Sequence, residues 1–108
     1  MNVINFEDKT LFSKDEKIQI KLAINELKFL IIQNFSPNNE EQIIIDNRLD
    51  YLIDSVERLN KFDWKSLVLS TIISISISLS LDSEKGRLLF ELLRKVFLNI
   101  ASIGNSEI

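Results

Sequence analysis

From Lys14 to Phe35 the apolar residues return every three or four positions. Ile20, Ile24, Leu27, Ile31 and Phe35 form one line, and Ile18, Leu22, Phe29, Leu30 and Ile32 widen it well beyond a coiled-coil seam, which predicts a helix covered on more than one side. Ser13 followed by Glu16 has the spacing of a capping box, in which side chain and backbone satisfy each other's free groups at a helix start, so the helix begins near Lys14. Ser36-Pro37-Asn38-Asn39 ends it, because proline disfavours α conformation in the residue before it and the asparagines form turns. So short a connection implies an antiparallel neighbour.

The second helix is expected from Asn39 to Asn60. Ile45, Leu49, Leu52, Val56 and Leu59 recur at alternating intervals of four and three and build the core of a helical hairpin, with Ile53 beside them. Asp46, Arg48, Asp50, Asp54, Glu57 and Arg58 fill most of the other positions. The β-branched run Ile43-Ile44-Ile45 costs the helix only a few tenths of a kcal/mol per residue, roughly, and Glu40-Glu41 suits its positive end. Asn60-Lys61-Phe62-Asp63 breaks the pattern, with Asp63 a candidate cap for a third helix from Trp64 to Leu81.

Residues 64–81 admit three readings. Ile73 to Leu81 alternates apolar residues with serine, the pattern of a half-buried strand, but the chain offers no second strand of matching quality. At 100° per residue, Ser66, Ser70, Ser74, Ser76, Ser78 and Ser80 fall within an arc of roughly 200°, opposite Val68, Ile72, Ile75 and Leu79, which makes a helix with one apolar and one small-residue face. A membrane span is the third, since the segment carries a single charge near its start and hydroxyl faces also serve helix packing in a bilayer. Trp64 is then either an interfacial anchor or a core residue at a helix junction.

A fourth helix, Ser83 to Ser102, follows a turn capped by Asp82 or Ser83, with Gly104 as its stop signal. Its Leu88, Leu89, Phe90, Leu92, Leu93, Val96, Phe97 and Ile100 alternate with Glu91, Arg94 and Lys95, so it is amphipathic rather than membrane-spanning. Residues 1–12 and the tail from Ser102 are expected to fray, with Phe6 and Phe12 able to dock on this subunit or another. The expected fold is one all-α domain, a four-helix bundle-like arrangement of two hairpins: an arm over 1–12, a hairpin over 13–61 and an apolar hairpin over 63–102, whose first helix is strongly apolar and rich in serine. The first and third helices carry more apolar surface than three partners can cover, which points to self-association.

Composition narrows the chemistry. The 108 residues contain no His and no Cys, which removes imidazole catalysis, thiol nucleophiles, disulfides and the usual zinc and haem ligands. Thirteen Lys+Arg against sixteen Asp+Glu leave a net charge of -3, with no cationic surplus for a phosphate backbone, so nucleic acid is not an expected partner. Asp46, Asp50 and Asp54 share a helix face and read as a solvated acidic surface, and Lys85, Arg87, Arg94 and Lys95 as a modest basic one. No phosphate loop, nucleophile elbow or ligand cluster is present, so no catalytic residue, cofactor or metal is expected. The first residues, Met1 to Asp8, lack a basic region followed by an apolar run, so no signal peptide is expected and the chain reads as cytoplasmic, with peripheral or integral association at the inner membrane left open.

The stretch R-L-N-K-F-D-W, Arg58 to Trp64, followed by the apolar segment and by L-D-S-E-K-G-R-L-L-F, resembles a helical module at the C-termini of many uncharacterised bacterial proteins. The resemblance covers roughly the last 60 residues and rests on an R-L-x-K-x-D-W motif, here Arg58, Leu59, Lys61, Asp63 and Trp64. It implies a conflict or antiphage setting, an apolar segment acting at a membrane, and no catalytic residues. Residues and resemblance together lead to the expectation of a non-enzymatic interaction and oligomerisation module, in which Ser70, Ser74 and Ser78 pack between subunits and the partner is a second copy or another protein. The alternative is a small effector that inserts residues 64–81 into a bilayer.

Overall fold

A computed structural model of the chain describes residues 4–101. Four helices follow one another: α1 (Lys14–Phe35), α2 (Asn39–Ser55), α3 (Lys61–Ser78) and α4 (Ser83–Ala101). α1 packs on both α2 and α4, α2 also packs on α3, and α3 and α4 touch least. The fold is all-α and bundle-like, with a core that joins Ile20, Ile24, Leu27 and Ile31 of α1 to Ile45, Leu49 and Leu52 of α2, Trp64, Ile72 and Ile75 of α3, and Leu89 and Val96 of α4.

Local chemistry explains where each helix begins. The Ser13 hydroxyl accepts from the Glu16 amide at 3.2 Å while the Glu16 carboxylate accepts from the Ser13 amide at 2.7 Å, the reciprocal pair expected from their spacing. Asn38 and Glu41 form a second such box at the start of α2. The Asp82 carboxylate accepts from the Lys85 amide at 2.8 Å, so Asp82 caps α4.

The second and third helices differ from expectation at their junction. α2 ends at Ser55 rather than Asn60, because Val56, Glu57 and Arg58 donate to Ile53, Asp54 and Ser55 and tighten the chain into turns. α3 starts at Lys61 rather than Trp64, and its cap is Asn60, whose side chain accepts from the Asp63 amide at 2.7 Å. Asp63 therefore sits inside the first turn, where its charge still suits the helix dipole. The strand reading of Ile73 to Leu81 is overturned: residues 61–78 are helical, with Val68, Ile72 and Ile75 buried together on one side.

α3 stops at Ser78, short of Leu81, in a Schellman turn. Leu81 donates to Ser76 and Ser80 to Ile77, and Ser80 takes the left-handed conformation with φ 53°. A side chain is disfavoured there, so Ser80→Gly is expected to stabilise the fold by about 1 kcal/mol, measured as a rise in the midpoint of urea unfolding with unchanged slope.

The N-terminal arm is not frayed from Ile4 onward. Ile4 and Phe12 are buried, Leu11 bridges to Asn60, and Thr10 and Asp8 carbonyls accept from the Lys61 and Phe62 amides, both at 3.0 Å. Those amides belong to the first turn of α3 and have no partner inside the helix. The arm is thus the second half of the cap that Asn60 begins. The expected stop at Gly104 and the tail from Ser102 lie outside the described residues.

Candidate functional site

The R-L-x-K-x-D-W segment forms the joint between α2, α3 and the arm. Trp64 is fully buried, and its indole N–H donates to the Leu52 carbonyl at 2.8 Å, tying α3 to α2. Its ring lies among Phe6, stacked at 6.1 Å, Phe12, edge-on at 5.5 Å, and Phe97 of α4 at 5.8 Å. The core reading of Trp64 therefore holds. Lys61 is buried and its ammonium meets the Glu16 carboxylate at 3.2 Å, so the acid that closes the α1 capping box also compensates the one buried lysine of α3. Arg58 bonds Asp54 at 2.7 Å and the buried Ser55 hydroxyl at 3.1 Å, which raises the guanidinium pKa through the Asp54 hydrogen bond, and Leu59 packs partly buried against the core. In the arm, the Asp8 carboxylate accepts from the Thr10 amide, which holds its pKa below the ordinary value.

Between α3 and α4, where the helices separate, an apolar groove of about 480 Å³ opens above this joint. Trp64, Val68, Leu93 and Phe97 belong to its core side, while Leu69 and Phe90 line it with 41% and 39% of their surface exposed. Lys65, Glu91 and Arg94 supply its polar edge. Lys65 is paired with Glu7 of the arm at 2.6 Å and Arg94 with Glu91 at 2.8 Å, so the edge is close to neutral and the apolar lining is the dominant feature. Sequence periodicity named most of these residues as helix positions but gave no sign that α3 and α4 diverge.

The other expected site residues occupy two places. Ile45, Leu49, Leu52 and Val56 are buried in the core between α1, α2 and α3. Ser70 and Ser74 line a second groove beside Ile44, Asn47, Arg48 and Tyr51 of α2, while Ser78 is half-buried at the end of α3. The Ser70 hydroxyl donates back to the Leu67 carbonyl at 3.1 Å. Asp46 and Asp50 face Lys28 of α1 at 3.4 and 3.7 Å, whereas Asp54 turns to Arg58, so the three carboxylates do not converge.

Among the described residues no group of three or more acidic side chains is placed to hold a metal ion. Among the same residues no helix is long and apolar enough to cross a membrane. In α3 the face a bilayer would need, Trp64, Val68, Ile72 and Ile75, is buried in the protein's own core. Against protein-family models, curated proteins and solved structures alike, the chain has no match.

Proposed function

We propose that the chain is a non-enzymatic interaction and oligomerisation module, a bacterial accessory or conflict-system component that acts through helix–helix assembly. The observation that carries this reading is the amount of apolar surface the finished bundle leaves in lines along its helices. Ile18, Leu22 and Phe29 of α1 are more than half exposed, as are Ile73 and Ile77 of α3, and Leu69 and Phe90 border the α3–α4 groove. Lone exposed apolar residues are ordinary on a soluble surface, but residues aligned along one helix face form a strip that association removes from water. Covering the remaining exposed surface of each such side chain contributes about 1–2 kcal/mol, since they start about half exposed. The hydroxyl face at Ser70, Ser74 and Ser78 adds a surface on which another helix can approach closely.

The test is the molar mass of the chain prepared without detergent, measured by light scattering with circular dichroism on the same sample. A strongly helical assembly of defined mass above 12.5 kDa supports the module. A monomer at micromolar concentration contradicts self-assembly, and recovery only with detergent turns the reading to a membrane effector.

A further inference from the structure

Resting on the assembly reading, we propose that the outer face of α1 is where two copies of this chain meet, side by side and parallel, about a two-fold axis running along α1. α1 sends Ile20, Ala23, Ile24, Leu27 and Ile31 into its own bundle. On the opposite side Ile18, Leu22 and Phe29 stand 53%, 64% and 62% exposed, with Asn25 exposed among them and Ile32 half-buried. The five positions 18, 22, 25, 29 and 32 advance by four, three, four and three, which is the spacing of a coiled-coil seam. Among the described residues nothing covers Ile18, Leu22 or Phe29 to more than about half.

The residues flanking the seam select the occupant and its direction. One edge carries Lys14, Lys21 and Lys28, each seven residues after the last, and the other carries Gln19, Glu26 and Gln33. In a parallel pair opposite edges meet, with a residue on one edge facing the residue five places further along the partner. Lys21 then faces the partner's Glu26, and by symmetry Glu26 faces the partner's Lys21, while Lys28 is held by Asp46 and Asp50 of its own α2. In an antiparallel pair like edges would meet and lysine would oppose lysine. Lys21 and Glu26 are both exposed, and neither is in an ion pair among the described residues.

This self-complementarity is the reason for choosing a second copy over an unrelated helix. Asn25 is the one polar side chain within the seam. The seam is only about 21 Å long at 1.5 Å per residue, too short for isolated helices, but α1 is already held helical by the bundle and association need not nucleate it.

The experiment uses the full chain and sedimentation equilibrium. Glu26→Lys is expected to raise the dimer dissociation constant about tenfold, because two attractive contacts become repulsive, and adding Lys21→Glu is expected to restore it. Leu22→Lys should abolish the dimer while the circular dichroism spectrum stays unchanged, since this side chain touches little of its own bundle. The chain has no cysteine, so Leu22→Cys introduces one thiol, and parallel pairing sets the two copies' thiols together to form a disulfide-linked dimer on mild oxidation. An assembly that none of these changes affects places the interface elsewhere and overturns the α1 proposal while leaving the assembly reading intact. Tighter association on Lys21→Glu alone would instead mean antiparallel pairing and overturn the parallel arrangement. A wild-type chain that stays monomeric at every concentration removes the assembly reading itself.

Discussion

Trp64→Ala is expected to destabilise the protein by about 3–5 kcal/mol, enough to consume much of the roughly 5–15 kcal/mol that holds a domain of this size. The indole is fully buried at the point where α3, α2, the arm and α4 converge, so its removal opens a cavity lined by Phe6, Phe12 and Phe97 that cannot collapse without moving several elements. It also leaves the Leu52 carbonyl without its donor. Trp64→Phe separates the two losses, retaining an aromatic ring but no N–H, and should cost less, about 1–3 kcal/mol for the unsatisfied carbonyl together with a small packing defect. Urea unfolding followed by circular dichroism measures both, because these variants lack the chain's single tryptophan. Equal stability of Trp64→Ala and wild type would mean that the joint does not organise the bundle.

Deleting residues 1–12 is expected to be the next most damaging change, lowering stability by about 3 kcal/mol. The loss has two parts. Ile4 and Phe12 leave the core and expose the Trp64 ring, and the Lys61 and Phe62 amides lose the arm carbonyls that satisfy them. The intact chain should show the blue-shifted emission of a buried indole, and the deletion a red shift, since Trp64 is the only tryptophan. Phe12→Ala should reproduce most of the fall in stability without the loss of the caps. A deletion as stable as the full chain, with unshifted emission, would show that the arm is dispensable to the bundle.

These two effects meet at the place where sequence and structure differ most. Helices α1, α2 and α4 are legible because each carries a long periodic apolar face, and because Ser13 with Glu16 is a local signal that needs nothing beyond its own turn. The α2–α3 junction was not. Asn60 and Asp63 are both good caps three residues apart, and the choice of Asn60 depends on arm carbonyls some fifty positions earlier in the chain. The apolar residues of the arm, Val3, Ile4, Phe6, Leu11 and Phe12, follow no period, so its docking follows from the aromatic cluster it joins rather than from a local pattern. In α3 the alternation of serine and isoleucine is compatible with period two. Its resolution as a helix comes from partners, since Ile72 and Ile75 enter the core while Ile73 and Ile77 remain exposed.

The same distinction applies to the surfaces. Excess apolar width in α1 was visible as Ile18, Leu22 and Phe29 beside the main stripe, but only the packed bundle separates the inward line from the outward one. The groove between α3 and α4 depends on an interhelical divergence that no single helix encodes. Within the motif Arg58 to Trp64, Lys61 pairs with Glu16, Arg58 with Asp54, and Trp64 with the Leu52 carbonyl, so these three side chains tie the α2–α3 joint together.

The bundle leaves apolar helix surface open to another helix, and small-angle X-ray scattering over a concentration series shows whether a second copy covers it. Forward scattering is expected to rise to at least twice the 12.5 kDa chain mass, with a particle whose longest dimension exceeds the 38 Å extent of one bundle. Scattering that stays at the mass of one chain at every concentration, with a radius of gyration near 13.7 Å throughout, would contradict it.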